Sequence, residues 1–133
     1  VLGDLIEESK GKITGQRVLS ADGPKIEVSF MSQGKLLDIG VEEVATFVSM
    51  PRSGGVMYGE GNGVMMSKDG EVVTWSGNGI GRFGQNGKAV WRGAVYLQTN
   101  SPGKLGALNN VMAVFEFEAD SIGDTTSKSW QWK

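Results

Sequence analysis

The chain of 133 residues has no cysteine, no histidine and only three prolines. It also has no apolar run near the roughly 18 residues of a membrane helix. Each absence closes a class of function. Without Cys or His, the chain cannot build a zinc finger, a thiolate nucleophile, haem-type ligation or a Ser-His-Asp triad. A disulfide scaffold is excluded too, and an intracellular, cytoplasmic setting is the expectation. Thirteen Lys and Arg against fifteen Asp and Glu leave a net charge of −2, whereas a nucleic-acid binder normally carries a basic face to displace phosphate counterions. With no apolar run of membrane length and no basic-then-apolar signal pattern at the N-terminus, no membrane partner is expected. No Asp-rich loop has calcium-ligand spacing, and no metal or other cofactor is expected.

Glycine is abundant, with 21 residues, about twice average usage. Aromatic and β-branched residues alternate with polar ones along most of the chain, which a disordered linker would not do. Lys25–Met31 shows the pattern, with Ile26, Val28 and Phe30 on one face. Similar segments are Lys12–Ser20, Leu36–Glu42, Glu43–Met50, Val56–Met66, Glu71–Phe83, Lys88–Thr99, Val111–Ala119 and Thr125–Lys133. They make nine candidate strands, and only Val1–Ser9 and Lys104–Asn110 suit a short helical turn. The expected connections are short: Ala21–Pro24, Ser32–Gly34, Asp69-Gly70, Asn86-Gly87 and Asp120–Asp124. Asp-Gly and Asn-Gly suit two-residue hairpin turns because both tolerate positive φ. The expected fold is all-β: a small antiparallel up-and-down β-barrel of eight or nine strands over residues 1–133 as one domain, with a β-sandwich as second choice. Closure removes exposed sheet edges.

Two glycine runs, Gly59, Gly61, Gly63 and Gly77, Gly79, Gly81, lie in successive predicted strands. They lack the strand-to-helix transition of a nucleotide-binding fingerprint. A two-residue Asp69-Gly70 turn would set Asn62 opposite Gly77, Glu60 opposite Gly79 and Tyr58 opposite Gly81. A two-residue Asn86-Gly87 turn would set Gly81 opposite Arg92, Gly77 opposite Tyr96 and Trp75 opposite Gln98. One face would then carry Tyr58, Glu60, Asn62, Arg92, Tyr96 and Gln98 around a patch without side chains, bordered by Trp75 and Phe83 among others. These eight residues are the candidate lumen site, with Glu60 and Arg92 as a buried ion pair able to orient a ligand. The glycines could equally serve only to relieve crowding and let the strands coil.

The opposite face, with Ile80, Trp91, Val95 and Leu97, would be too apolar to leave in water, which predicts a homo-oligomer. Glu116 and Glu118 share one side of a strand and read as a solvated face. Trp130 and Trp132 read as core plugs or oligomer contacts. The segment Asn100–Asn110 is the longest connection and could cover a barrel end.

The stretch Tyr58–Phe83, together with Leu108-Asn109-Asn110, Val114-Phe115-Glu116 and the closing Trp-Gln-Trp-Lys, resembles a group of short uncharacterised microbial proteins. That group has no assigned activity, so the resemblance implies no catalytic residue. In architecture the expected barrel is similar to the calycin-like barrels of the allene oxide cyclase and lipocalin families. These hold small apolar or amphipathic molecules, some as oligomers. The function class expected is a binding module for a small amphipathic or anionic molecule in a partly polar lumen. The alternatives are a cofactor-free isomerase or cyclase using Glu60, Tyr58 and Arg92, and a structural or interaction protein with a solid barrel.

Overall fold

The alternation becomes eight strands in a computed structural model that describes residues 1–133. They are β1 (Leu2–Ser20), β2 (Lys25–Leu36), β3 (Ile39–Arg52), β4 (Val56–Ser67), β5 (Val72–Phe83), β6 (Ala89–Gln98), β7 (Val111–Ala119) and β8 (Asp124–Trp132). Each pairs antiparallel with the next, and β8 returns to β1, closing an up-and-down barrel. Closure leaves no edge strand to template aggregation.

Three sequence expectations give way here. Val1–Ser9 is not helical: it opens the 19-residue β1. Ser32–Gly34 is not a connection but lies inside β2, so Leu36–Glu42 is not a strand of its own. The chain turns instead at Leu37 and Asp38, whose φ values of 48° and 65° give a two-residue hairpin loop built without Asn-Gly or Asp-Gly. The sequence carries no glycine signal at that corner. The three candidate strands Lys25–Met31, Leu36–Glu42 and Glu43–Met50 therefore become two, β2 and β3, and Val1–Ser9 extends β1.

Both Gly-containing hairpins are one residue longer than expected. Ser67 N–H donates to Glu71 O and Gly70 N–H to Ser67 O, so Lys68–Gly70 is a three-residue loop with Gly70 at φ 87°. Gly84 N–H donates to Lys88 O, and Gln85–Gly87 is likewise a three-residue connection. Because side chains alternate with period two, a one-residue slip moves every side chain to the other face. Tyr58 therefore pairs with Ile80 and Gly81 with Met57, and Arg92 pairs with Ile80 rather than Gly81.

The interior contains two apolar clusters. One includes Ile6, Leu36, Val41, Met65, Val73 and Leu97, and is capped by Leu105 and Leu108. The cap is a 3-10 turn over Lys104–Leu108, so the connection after β6 does close a barrel end, as its length suggested. Glu71 holds it: its Oε1 accepts bonds from Ser101 Oγ at 2.5 Å and from Leu105 N–H at 3.1 Å. The second cluster contains Phe30, Ala45, Trp91, Phe117 and Ala119. Its rings meet at 4.8 Å between Phe30 and Phe117 and at 5.3 Å, edge to face, between Phe47 and Trp91.

Candidate functional site

The lumen is asymmetric by strand. On β4 to β7 the inward positions are mostly glycine, aromatic or aliphatic, whereas β8, β1, β2 and β3 contribute Ser127, Ser129, Glu7, Ser9, Ser32 and Glu43. The inward glycines are seats for rings. A Cβ on Gly63 would lie 2.4 Å from Trp75 Nε1, and Cβ atoms on Gly59 and Gly81 would lie 2.8 and 2.7 Å from the Trp91 ring. Large aromatic groups thus fill a narrow barrel by lying flat across neighbouring strands that carry no side chains.

Facing them are two carboxylates. Glu7 reaches the interior through a β-bulge: against β8 the register steps from Leu5 opposite Trp130 to Glu7 opposite Ser129. One residue is left over, and both Ile6 and Glu7 are buried. Glu7 Oε2 accepts a bond from Ser9 Oγ at 2.6 Å, and its Oε1 accepts bonds from Ser127 Oγ at 3.1 Å and Ser129 Oγ at 2.8 Å. Glu43 lies between Val41 and Ala45 on the inward side of β3. It accepts bonds from Ser32 Oγ at 2.9 Å and Trp75 Nε1–H at 2.7 Å. Burial pushes the Glu43 pKa above its ordinary 4.5; the Trp75 hydrogen bond opposes this, the nearby Glu7 charge adds to it, and the Ser32 bond opposes it again. Between these acids and the ring wall is a cavity of about 90 Å³, lined among others by Glu7, Glu43, Phe47, Trp75, Trp91 and Phe115.

Of the eight residues expected in the lumen, only Trp75 lines this cavity. Glu60, Asn62, Arg92, Tyr96 and Gln98 are exposed on the outer wall, Tyr58 is half-buried there, and Phe83 is exposed at the barrel rim. The expected Glu60–Arg92 pair does not form. Glu60 Oε1 instead accepts a bond from Tyr58 Oη at 2.8 Å, and Arg92 Nε sits 3.9 Å from Glu116. The cause is the one-residue slip in both hairpins. The same slip puts Trp91, Val95 and Leu97 inside, so these residues supply no exposed face for a second copy. Glu116 and Glu118 form a solvated outer face, as read, paired with Arg92 and Lys88. Trp130 and Trp132 belong to the outer phase of β8 rather than to the core, with Trp132 about half exposed.

Glu7 and Glu43 escaped the sequence reading for different reasons. The bulge breaks the alternation around Glu7, so period two cannot place it. Glu43 was legible in principle: Val41, Glu43, Ala45 and Phe47 share one phase, an acid within an apolar series. Dividing the strand between Glu42 and Glu43 concealed it.

No protein-family model matches the chain, and no curated protein matches it significantly. Solved structures do. A protein of unknown function from Clostridium acetobutylicum superposes with a TM-score of 0.81 at 11% identity, covering 98% of each chain. A conserved protein of unknown function from Rhodopseudomonas palustris gives 0.78 at 13% identity over 99% of each chain. The chain therefore shares its barrel with uncharacterised bacterial proteins, and at such identities the likeness concerns the fold alone. No helix is long and apolar enough to cross a membrane.

Proposed function

We propose that the barrel binds a small, partly apolar molecule in its lumen. The observation that carries this reading is the cavity of about 90 Å³ bounded on one side by Glu7 and Glu43 and on the other by rings and glycines. Apolar walls with a few convergent polar groups are the usual composition of a ligand site. The volume limits the occupant. It is smaller than the roughly 150 Å³ apolar cavity that admits benzene, so the occupant has fewer non-hydrogen atoms than benzene's six. At the ceiling of about −1.5 kcal/mol per atom, a ligand of about five atoms binds no tighter than on the order of micromolar.

Saturation-transfer NMR against water-soluble molecules of three to five non-hydrogen atoms tests this. Transfer to at least one molecule is expected at millimolar concentration. It should be lost in Ser127→Leu, which fills the lumen, once circular dichroism shows that variant folded. Absence of transfer to every member would overturn the reading.

One observation favours a second reading, a cofactor-free isomerase. Burial holds the Glu43 proton more tightly beside a second carboxylate, and proton transfer needs an acid and a base in one cavity. The Glu60, Tyr58 and Arg92 set is outside the barrel and does not supply that pair.

A further inference from the structure

The two lumen carboxylates have no positive partner. All thirteen Lys and Arg residues are exposed, the chain has no histidine, and every ion pair joins exposed or half-exposed side chains. Glu7 and Glu43 are held only by neutral donors, four hydroxyls and one indole N–H. Buried charge is ordinarily paired, because neutral hydrogen bonds recover only part of the lost hydration. A cavity that keeps two acids beside an aromatic wall and excludes every basic side chain has no cation of its own to balance the charge those acids take on when ionised.

The acceptor count narrows the complement. Two carboxylates offer about eight lone-pair sites. Five protein donors occupy five of them, leaving about three. A primary ammonium has three N–H donors, and its alkyl chain suits a wall containing Phe47, Trp91 and Phe115. Ring faces attract cations as well. An anion would meet two carboxylates and no basic group. A metal ion is poorly served, since no group of three or more acidic or other metal-binding side chains is present.

We propose that the lumen is a site for a small primary alkylammonium, with its nitrogen between Glu7 and Glu43 and its alkyl chain against the aromatic wall. This rests on the reading of the lumen as a ligand site and names the ligand class. Binding a cation lowers the proton affinity of Glu43, so the ammonium displaces that proton where Glu43 carries one.

The test compares three probes of similar size on the unmodified protein: n-butylammonium, 1-butanol and butyrate, by titration calorimetry at pH 7. Butylammonium is expected to bind at least tenfold more tightly than butanol, with butyrate not binding. Its affinity should rise from pH 5 to pH 7, and Glu7→Gln and Glu43→Gln should each weaken it about tenfold, a larger loss than either causes for butanol. Equal affinity for butylammonium and butanol, or preference for butyrate, overturns the ammonium proposal and leaves the lumen site standing. Failure of all three probes to bind overturns both. The probe comparison needs no variant, so a misfolded mutant does not compromise it.

Discussion

Glu43 sits between Val41 and Ala45, and burial raises its proton affinity above that of the same group in the unfolded chain. Such a group adds stability below the unfolded pKa, and that contribution is lost as pH rises through the higher native value. Glu43→Gln keeps an acceptor for Trp75 Nε1–H and removes the charge. At pH 7 the variant is expected to melt a few degrees higher than the unmodified chain, a gain of about 1 kcal/mol. Near pH 4 the difference should close. A melting difference that is the same at both values would contradict the burial of a titrating carboxylate. The glycine seats make a second residue-scale prediction. Gly63→Ala drives a methyl group into Trp75, 2.4 Å from Nε1, and is expected to cost about 1–3 kcal/mol in urea unfolding. Gly40→Ala meets open space, and its stability should change by no more than about 0.5 kcal/mol.

At the scale of elements, turn length decides which side chains see the lumen. The alternation of β4, β5 and β6 was plain in the sequence, as was the existence of hairpins at Asp69-Gly70 and Asn86-Gly87. Whether each loop held two residues or three was not, because Gly at positive φ serves both geometries. Relative to β5, whose Trp75 side lines the lumen as expected, that single residue exchanged the inner and outer faces of β4 and β6 and put Glu60 and Arg92 on the outer wall. The turn at Leu37-Asp38 and the bulge at Ile6 were hidden for a related reason: neither uses a glycine, and the bulge forms only where β1 meets β8 in the closed barrel. The cap over Lys104–Leu108 belongs to this scale as well. Glu71→Ala removes the acceptor for Ser101 Oγ and Leu105 N–H, at an expected cost of about 1–3 kcal/mol. Hydrogen exchange should quicken at Leu105 while amides in β2 and β3 keep their protection.

The whole molecule is a closed barrel whose outside carries its cations and whose inside carries two acids. Closure was readable from consecutive strands joined by short turns, since an open meander with one apolar face leaves two edges unpaired. The site was not readable, because the carboxylates on β1 and β3 meet the rings of β5, β6 and β7 only across the lumen of the closed barrel. The four tryptophans divide along the same boundary, with Trp75 and Trp91 lining the cavity and Trp130 and Trp132 on the outer wall. This division gives the decisive measurement, a ¹H–¹⁵N NMR titration of the four indole signals with n-butylammonium. Lumen binding predicts saturable shifts of Trp75 and Trp91, largest for the Trp75 N–H that donates to Glu43, while Trp130 and Trp132 stay in place. Movement confined to Trp130 or Trp132, or no movement of any indole at saturating probe, would contradict it.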